Sequence, residues 1–280
     1  RLVLARDRLG QKPLVYRCDS GRFSFASEIK ALLEVPRTPR NVDPSALDEY
    51  LTYQYVPYPN TIFQGIRKIP PAHLAVYQNG KLDVRSYWSP DWNTTVEHSE
   101  AEYCQQLRSL LAQAVQCRLQ SDVPLGAFLS GGVDSSLIVA LMAGHAEQPV
   151  KTYSIGFSDR QYDESQYARR VADHLGTNHH EFRVDPESVD ILEPLVWHFD
   201  EPFADSSAIP TRYVTRQTRG HVAVSLTGDG GDELFAGYPR YRAIRVGAAI
   251  DRLPRALRNL CGSRFWQYLP GGRRKGLLRR

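Results

Sequence analysis

Leu125-Gly126-Ala127-Phe128-Leu129-Ser130-Gly131-Gly132-Val133-Asp134-Ser135-Ser136 is the stretch on which the fold turns. An apolar strand, expected over 123–129, runs into two glycines, and hydroxyls stand where a helix is expected to begin, over 135–142. Gly131 and Gly132 let the backbone turn tightly and approach a ligand. The N–H groups freed there, with the positive end of the helix dipole, form an anion nest, and Ser130, Ser135 and Ser136 add hydroxyl donors. Asp134 is a carboxylate inside an anion site, which calls for a divalent cation between it and a phosphate. The competing reading, an ordinary capped helix with a glycine-rich entry, explains the glycines but not the whole Ser-Gly-Gly-x-Asp-Ser-Ser run. No Gly-x-x-x-x-Gly-Lys-Ser/Thr occurs, so the loop is not that of the common kinases and GTPases.

Downstream, Ser225-Leu226-Thr227-Gly228-Asp229-Gly230-Gly231-Asp232-Glu233-Leu234-Phe235-Ala236-Gly237-Tyr238 also follows an apolar strand, expected over 221–226. Three carboxylates so dense repel one another unless a cation neutralises them. The spacing misses the EF-hand consensus, and a plain acidic turn leaves the density unexplained. Between the two segments strands (150–157, 181–184) alternate with helices (164–175, 189–197, 208–217), and Gly176 stops the first of these helices. This alternation predicts an α/β fold with a doubly wound, mostly parallel sheet, which binds ligands beyond the carboxyl ends of its strands.

Upstream, Leu2–Leu4, Leu14–Tyr16 and Phe23–Phe25 alternate as antiparallel strands do, with the polar turn 6–13 between the first two. Short helices are expected over 28–33 and 46–53. Two more strands (74–77, 85–88) flank an Asn79-Gly80 turn. A domain boundary is expected between Asp91 and Ser99. A helix follows, opened by a Ser99/Glu102 capping box and carrying the apolar stripe Tyr103, Leu107, Leu110, Leu111, Ala114, Val115. His179-His180-Glu181 lacks a third ligand for a metal and reads as a strand edge.

With 42% hydrophobic and 24% charged residues the 280-residue chain has material for a packed core and is not disordered or fibrous. No run of eighteen apolar residues occurs, so no membrane-spanning helix is expected. Nine of the 35 Lys and Arg lie in the last thirty residues beside a single acid, Asp251, leaving 1–250 at a net −4. That is no footprint for nucleic acid. Four scattered cysteines without a Cys-x-x-Cys pair fit a reducing cytoplasm.

The segment Ser130–Ser136 resembles the pyrophosphate-binding (PP) loop of the ATP pyrophosphatase superfamily. With Thr227–Tyr238, Asp200–Pro210, Tyr153–Phe157, Asp163-Glu164 and Ala5–Leu14, the chain resembles bacterial-type glutamine-hydrolysing asparagine synthetase. The resemblance implies three stretches: residues 1–40 as the end of a type-2 glutamine amidotransferase domain, 41–98 as linker and strands, and 99–280 as an ATP-binding synthetase domain. The strands within Leu2–Phe25 are then the tail of a larger sandwich, with unpaired edges expected.

By the same resemblance the loop at Ser130–Ser136 holds the β and γ phosphates of ATP. Asp134 and Asp232 hold magnesium, backbone at Leu129, Ile155, Thr227 and Gly228 frames the adenosine, and Asp229 stands near aspartate. Asp200–Pro210 becomes a wall on the substrate side. The implied reaction joins aspartate to ATP as β-aspartyl-AMP, releases pyrophosphate, and lets ammonia from glutamine displace AMP. The implied partners are ATP, aspartate and glutamine or ammonia, and a homodimer is compatible with the sequence. The alternatives are a relative acting on another carboxylate, in surface-polymer or β-lactam synthesis, or a nucleotide-binding protein with decayed catalysis. The family's cysteine nucleophile and C-terminal lysine have no counterpart in the 280 residues. The expectation is ATP binding without asparagine formation from glutamine.

Overall fold

The computed structural model describes residues 1–19, 21–93, 96–158, 163–184, 191–255, 258 and 259. The chain divides into two compact units, Arg1–Ser109 with Arg183–Arg219, and Leu110–Phe182 with Gly220–Arg280.

The first unit opens with β1 (Leu2–Ala5), β2 (Val15–Asp19), β3 (Arg22–Ala26), α1 (Ile29–Leu33) and α2 (Pro44–Tyr53). Then come β4 (Ile66–Lys68), β5 (His73–Gln78) and β6 (Lys81–Ser86). Two antiparallel sheets result, ordered β1-β5-β6 and β3-β2-β4. Leu2 pairs with Tyr77 and Val15 with both Ala26 and Lys68. Strands from 1–40 thus share their sheets with strands from 66–86. Of the three strands within Leu2–Phe25, expected to leave unpaired edges, β2 is flanked on both sides while β1 and β3 lie at the edges of their sheets. Asn79 (φ 53°) and Gly80 (φ 76°) are both left-handed, the geometry that matches the twist of a two-residue hairpin. The turn at 6–13 is closed by Arg6, which donates to the carbonyls of Gly10, Lys12 and Ile69. Asp7 caps the amides of Gln11 and Lys12, and those hydrogen bonds hold its carboxyl below its ordinary pKa.

α3 (Glu100–Leu119) starts at the expected capping box: Ser99 N and Oγ both donate to Glu102 Oε2 at 2.8 Å. Of its apolar stripe only Val115 is buried, while Tyr103, Leu107 and Leu110 are exposed.

The second unit contains β7 (Leu125–Phe128), α4 (Val133–His145), β8 (Lys151–Phe157), α5 (Ser165–Leu175) and most of β9 (Asn178–Val184). After α6 (Leu192–Phe199) and α7 (Ala208–Thr218), which belong to the first unit, the chain returns as β10 (Val224–Leu226), α8 (Gly231–Phe235) and α9 (Pro239–Asp251). The sheet order is β10-β7-β8-β9, and β7 runs parallel to both neighbours. This is the expected α/β architecture with a parallel sheet. β10 is shorter than expected: over 221–223 the Ala223 amide donates to the Pro124 carbonyl, and the His221 ring packs against Tyr153, His180 and Phe182. Residues 189 and 190 of the helix expected over 189–197 lie outside the described residues. Val115, Ala127, Leu129, Val139, Met142, Val150, Ala168 and Ala172 form the core of the unit. α5 ends at Gly176, which takes the expected left-handed cap conformation (φ 64°).

Candidate active site

Strand order fixes where a ligand can lie. The chain passes from β7 to β8 and β9 on one side and returns as β10 on the other, so the topological switch falls between β7 and β10. Open parallel sheets bind ligands at such a point, beyond the carboxyl ends of the strands. The loops leaving β7 and β10 are Leu129–Gly132 and Thr227–Gly230, the two segments singled out in the sequence.

The first loop is tied to the sheet by Leu129 N, which donates to Tyr153 O at 2.8 Å. Within it Ser130 N and Gly132 N find hydroxyl acceptors, Ser135 Oγ at 3.3 Å and Ser130 Oγ at 3.2 Å, and the two hydroxyls are 3.0 Å apart. Gly131 is left-handed (φ 82°), and a β-carbon on it would stand 2.5 Å from both Ala168 N and Tyr167 Cβ at the start of α5. Gly132 is extended, and a β-carbon there would meet only Ser130 Oγ, at 3.3 Å. The requirement for glycine therefore lies at 131. Ser136 Oγ is buried without a hydrogen-bond partner among the described residues.

The second loop is pressed onto the first. A β-carbon on Gly228 would lie 2.7 Å from Ser135 N and 2.8 Å from Asp134 C, and one on Gly231 would lie 2.5 Å from Asp134 Cγ. Two bare α-carbons thus admit the first turn of α4 and the Asp134 carboxylate. Asp229 is exposed and accepts from Thr227 Oγ1 at 2.8 Å. Asp232 follows Gly231 in the first turn of α8, and its carboxylate lies against the α-carbon of Gly237. Neither the Asp134 nor the Asp232 carboxylate makes a hydrogen bond or ion pair among the described residues. Ile155, half-buried, lies two residues beyond Tyr153, the partner of Phe128, and so at the same end of the sheet.

The sequence did not single out the pairing of Glu233 and Tyr238. Tyr238 Oη donates to Glu233 Oε1 at 2.6 Å, which holds the carboxyl below its ordinary pKa and pushes the phenol up to about 12. An acid and a tyrosine five residues apart, on either side of Ala236-Gly237, were the available signal.

The segment Asp200–Pro210, expected as a substrate-side wall, has its acids partnered within the first unit. Asp200 Oδ2 accepts from Ile29 N at 2.8 Å and its Oδ1 pairs with Lys30 Nζ at 2.8 Å. Glu201 pairs with Lys68 and accepts from Ile62 N, and Asp205 accepts from Ser207 N. These acids anchor the segment inside the first unit, and burial raises the pKa of Glu201 despite Lys68. His179 is also structural, bonded to Thr152 Oγ1 at 2.9 Å and Ser154 Oγ at 3.1 Å, with burial lowering its pKa. Among the described residues no three His, Cys, Asp or Glu side chains cluster as a metal site. No described helix is long and apolar enough to cross a membrane.

Two family models match the chain, asparagine synthase over residues 106–279 and a glutamine amidotransferase domain over residues 1–88. Glutamine-hydrolyzing asparagine synthetase 1 of Bacillus subtilis is 35% identical over 258 residues, 91% of this chain and 40% of that protein. Glutamine-hydrolyzing asparagine synthetase 3 of the same organism is 35% identical over 88% of this chain and 42% of its own length. The amidase chyE of Penicillium rubens is 31% identical over 86% and 38%. The chain spans less than half the length of these relatives. Among solved structures, NMN synthetase of Francisella tularensis matches 51% of this chain and 59% of its own at 19% identity and a TM-score of 0.34, too slight a likeness to carry an argument. The asparagine synthase match covers well over half of the sequence, including both loops at the switch point, and the chain belongs to the asparagine synthase family.

Proposed function

We propose that the full-length protein containing these 280 residues makes asparagine: aspartate and ATP give β-aspartyl-AMP and pyrophosphate, and ammonia drawn from glutamine displaces AMP. The observation that carries this reading is the junction of Gly228 and Gly231 with Asp134, which puts an anion-binding loop and an acidic loop side by side at the switch point. In this reading the backbone and hydroxyls of Ser130, Gly131, Gly132, Ser135 and Ser136 receive the phosphates. Backbone at Leu129, Ile155, Thr227 and Gly228 borders the adenosine, and Asp229 faces the aspartate. Adenylation makes chemical sense because a free carboxylate resists amines, whereas the mixed anhydride carries a good leaving group.

Asp134 and Asp232 suit magnesium. Both are hard oxygen donors without a partner among the described residues. Magnesium commonly takes only one or two carboxylates, completing its shell with phosphate oxygens and water. Such an ion would stabilise charge on the departing pyrophosphate. In the same reading residues 1–88 are the end of a glutaminase domain, and the protein works in the cytoplasm, alone or as a homodimer. The 31% identical amidase is compatible with another acceptor carboxylate but does not favour one.

The test is exchange of labelled pyrophosphate into ATP across a panel of carboxylates, with product analysis. Aspartate-dependent exchange and asparagine as product support the reading. Exchange with a different acid alone would move the protein to another acceptor.

A further inference from the structure

We propose that Glu233 and Tyr238 are positioning residues that lock the turn presenting the Asp232 carboxylate, an inference that rests on the assignment of Asp232 to the metal–pyrophosphate site. α8 has five residues, too few to hold itself as a helix, so its shape depends on what closes it. Closure comes at 236–238. Ala236 adopts φ 56°, a left-handed conformation that is strained for a residue with a β-carbon. Its amide and that of Gly237 both donate to Asp232 O. A β-carbon on Gly237 would fall 1.9 Å from Asp232 Oδ1, so the carboxylate lies against a bare α-carbon. The next residue, Tyr238, reaches back to Glu233 at 2.6 Å and seals the turn in which that carboxylate rests. Arg240, in the first turn of α9, stands 4.8 Å over the Tyr238 ring.

Two effects follow. The hydrogen bond fixes the turn before any cation arrives, so ordering it is not charged against metal affinity. It also occupies Glu233, the carboxylate next in sequence to Asp232, with a donor of its own.

The test is Mn²⁺ binding, followed by electron paramagnetic resonance, in the presence of ATP carrying a methylene bridge between its α and β phosphates. Tyr238→Phe keeps the ring and removes the donor; Glu233→Ala removes the acceptor; Glu233→Gln keeps an acceptor. The first two are expected to weaken Mn²⁺ binding about 5–10-fold, the scale of one charge-assisted hydrogen bond. In both, pyrophosphate exchange should return to within about twofold of wild type at saturating metal, as a one-bond effect on binding requires. Glu233→Gln should bind nearly as wild type does. Unchanged Mn²⁺ affinity in Tyr238→Phe and Glu233→Ala overturns the proposal, as does an exchange defect that metal does not restore. Wild type that binds Mn²⁺ with the analogue yet shows no exchange with aspartate contradicts the acceptor reading instead, and the Mn²⁺ titrations still decide this one.

Discussion

The Asp134 carboxylate rests on the α-carbon of Gly231: a β-carbon at 231 would stand 2.5 Å from Asp134 Cγ and 2.6 Å from its Oδ2. The obstructing atoms are the far end of a side chain, so an alanine there can be admitted by turning the carboxylate away. Gly231→Ala is therefore expected to change unfolding free energy by less than about 1 kcal/mol, while reducing pyrophosphate exchange at least ~10²-fold. Denaturant titration and exchange, run on one preparation, check both halves.

Gly228 faces backbone instead, at Ser135 N and Asp134 C. Backbone at the start of α4 cannot yield cheaply, so Gly228→Ala is expected to cost about 1–3 kcal/mol of stability. If denaturation midpoints ranked Gly231→Ala below Gly228→Ala, the close approach described at 228 would be wrong.

Adjacent glycines in the first loop should behave differently. Gly131→Ala combines a left-handed φ with contact at 2.5 Å from α5 backbone and is expected to lose about 2–4 kcal/mol. Gly132→Ala, extended and open, should stay within about 0.5 kcal/mol of wild type. Thermal unfolding separates the two.

In the first unit, Lys68 and Glu201 are 18% and 13% exposed. Lys68→Met strands a buried carboxylate and is expected to cost about 3–5 kcal/mol, most of it recovered by adding Glu201→Gln. Burial raises the folded pKa of Glu201. Its contribution to stability is therefore fully present below the unfolded value near ~4.3 and is lost as pH rises through the folded pKa. The Glu201→Gln protein should lack that component in denaturation measured from acid to neutral pH.

Local signals were legible in the sequence wherever neighbouring residues decide the geometry. The strand–loop–helix at 125–145, the Ser99/Glu102 box, the Asn79-Gly80 hairpin and the Gly176 stop are all settled within a few residues. The anchoring of Asp200 and Glu201 was not legible, because their partners Lys30 and Lys68 lie 170 and 133 residues away. The glycines of 227–238 suggested a loop, and α8 was missed because five residues carry no helical period. The contact of Gly231 with Asp134 was equally hidden, since it joins loops almost a hundred residues apart.

The central claim is that the loops after β7 and β10 form one metal–pyrophosphate site through Asp134 and Asp232. The most direct measurement is aspartate-dependent exchange of labelled pyrophosphate into ATP by Asp134→Asn and Asp232→Asn in the full-length protein, glutaminase domain included, beside glutamine hydrolysis by the same proteins. Exchange is expected to fall at least ~10²–10³-fold in each variant, the usual loss on removing one electrostatic contact to a developing charge, with glutamine hydrolysis largely retained. Exchange at the wild-type rate in either variant would contradict the claim.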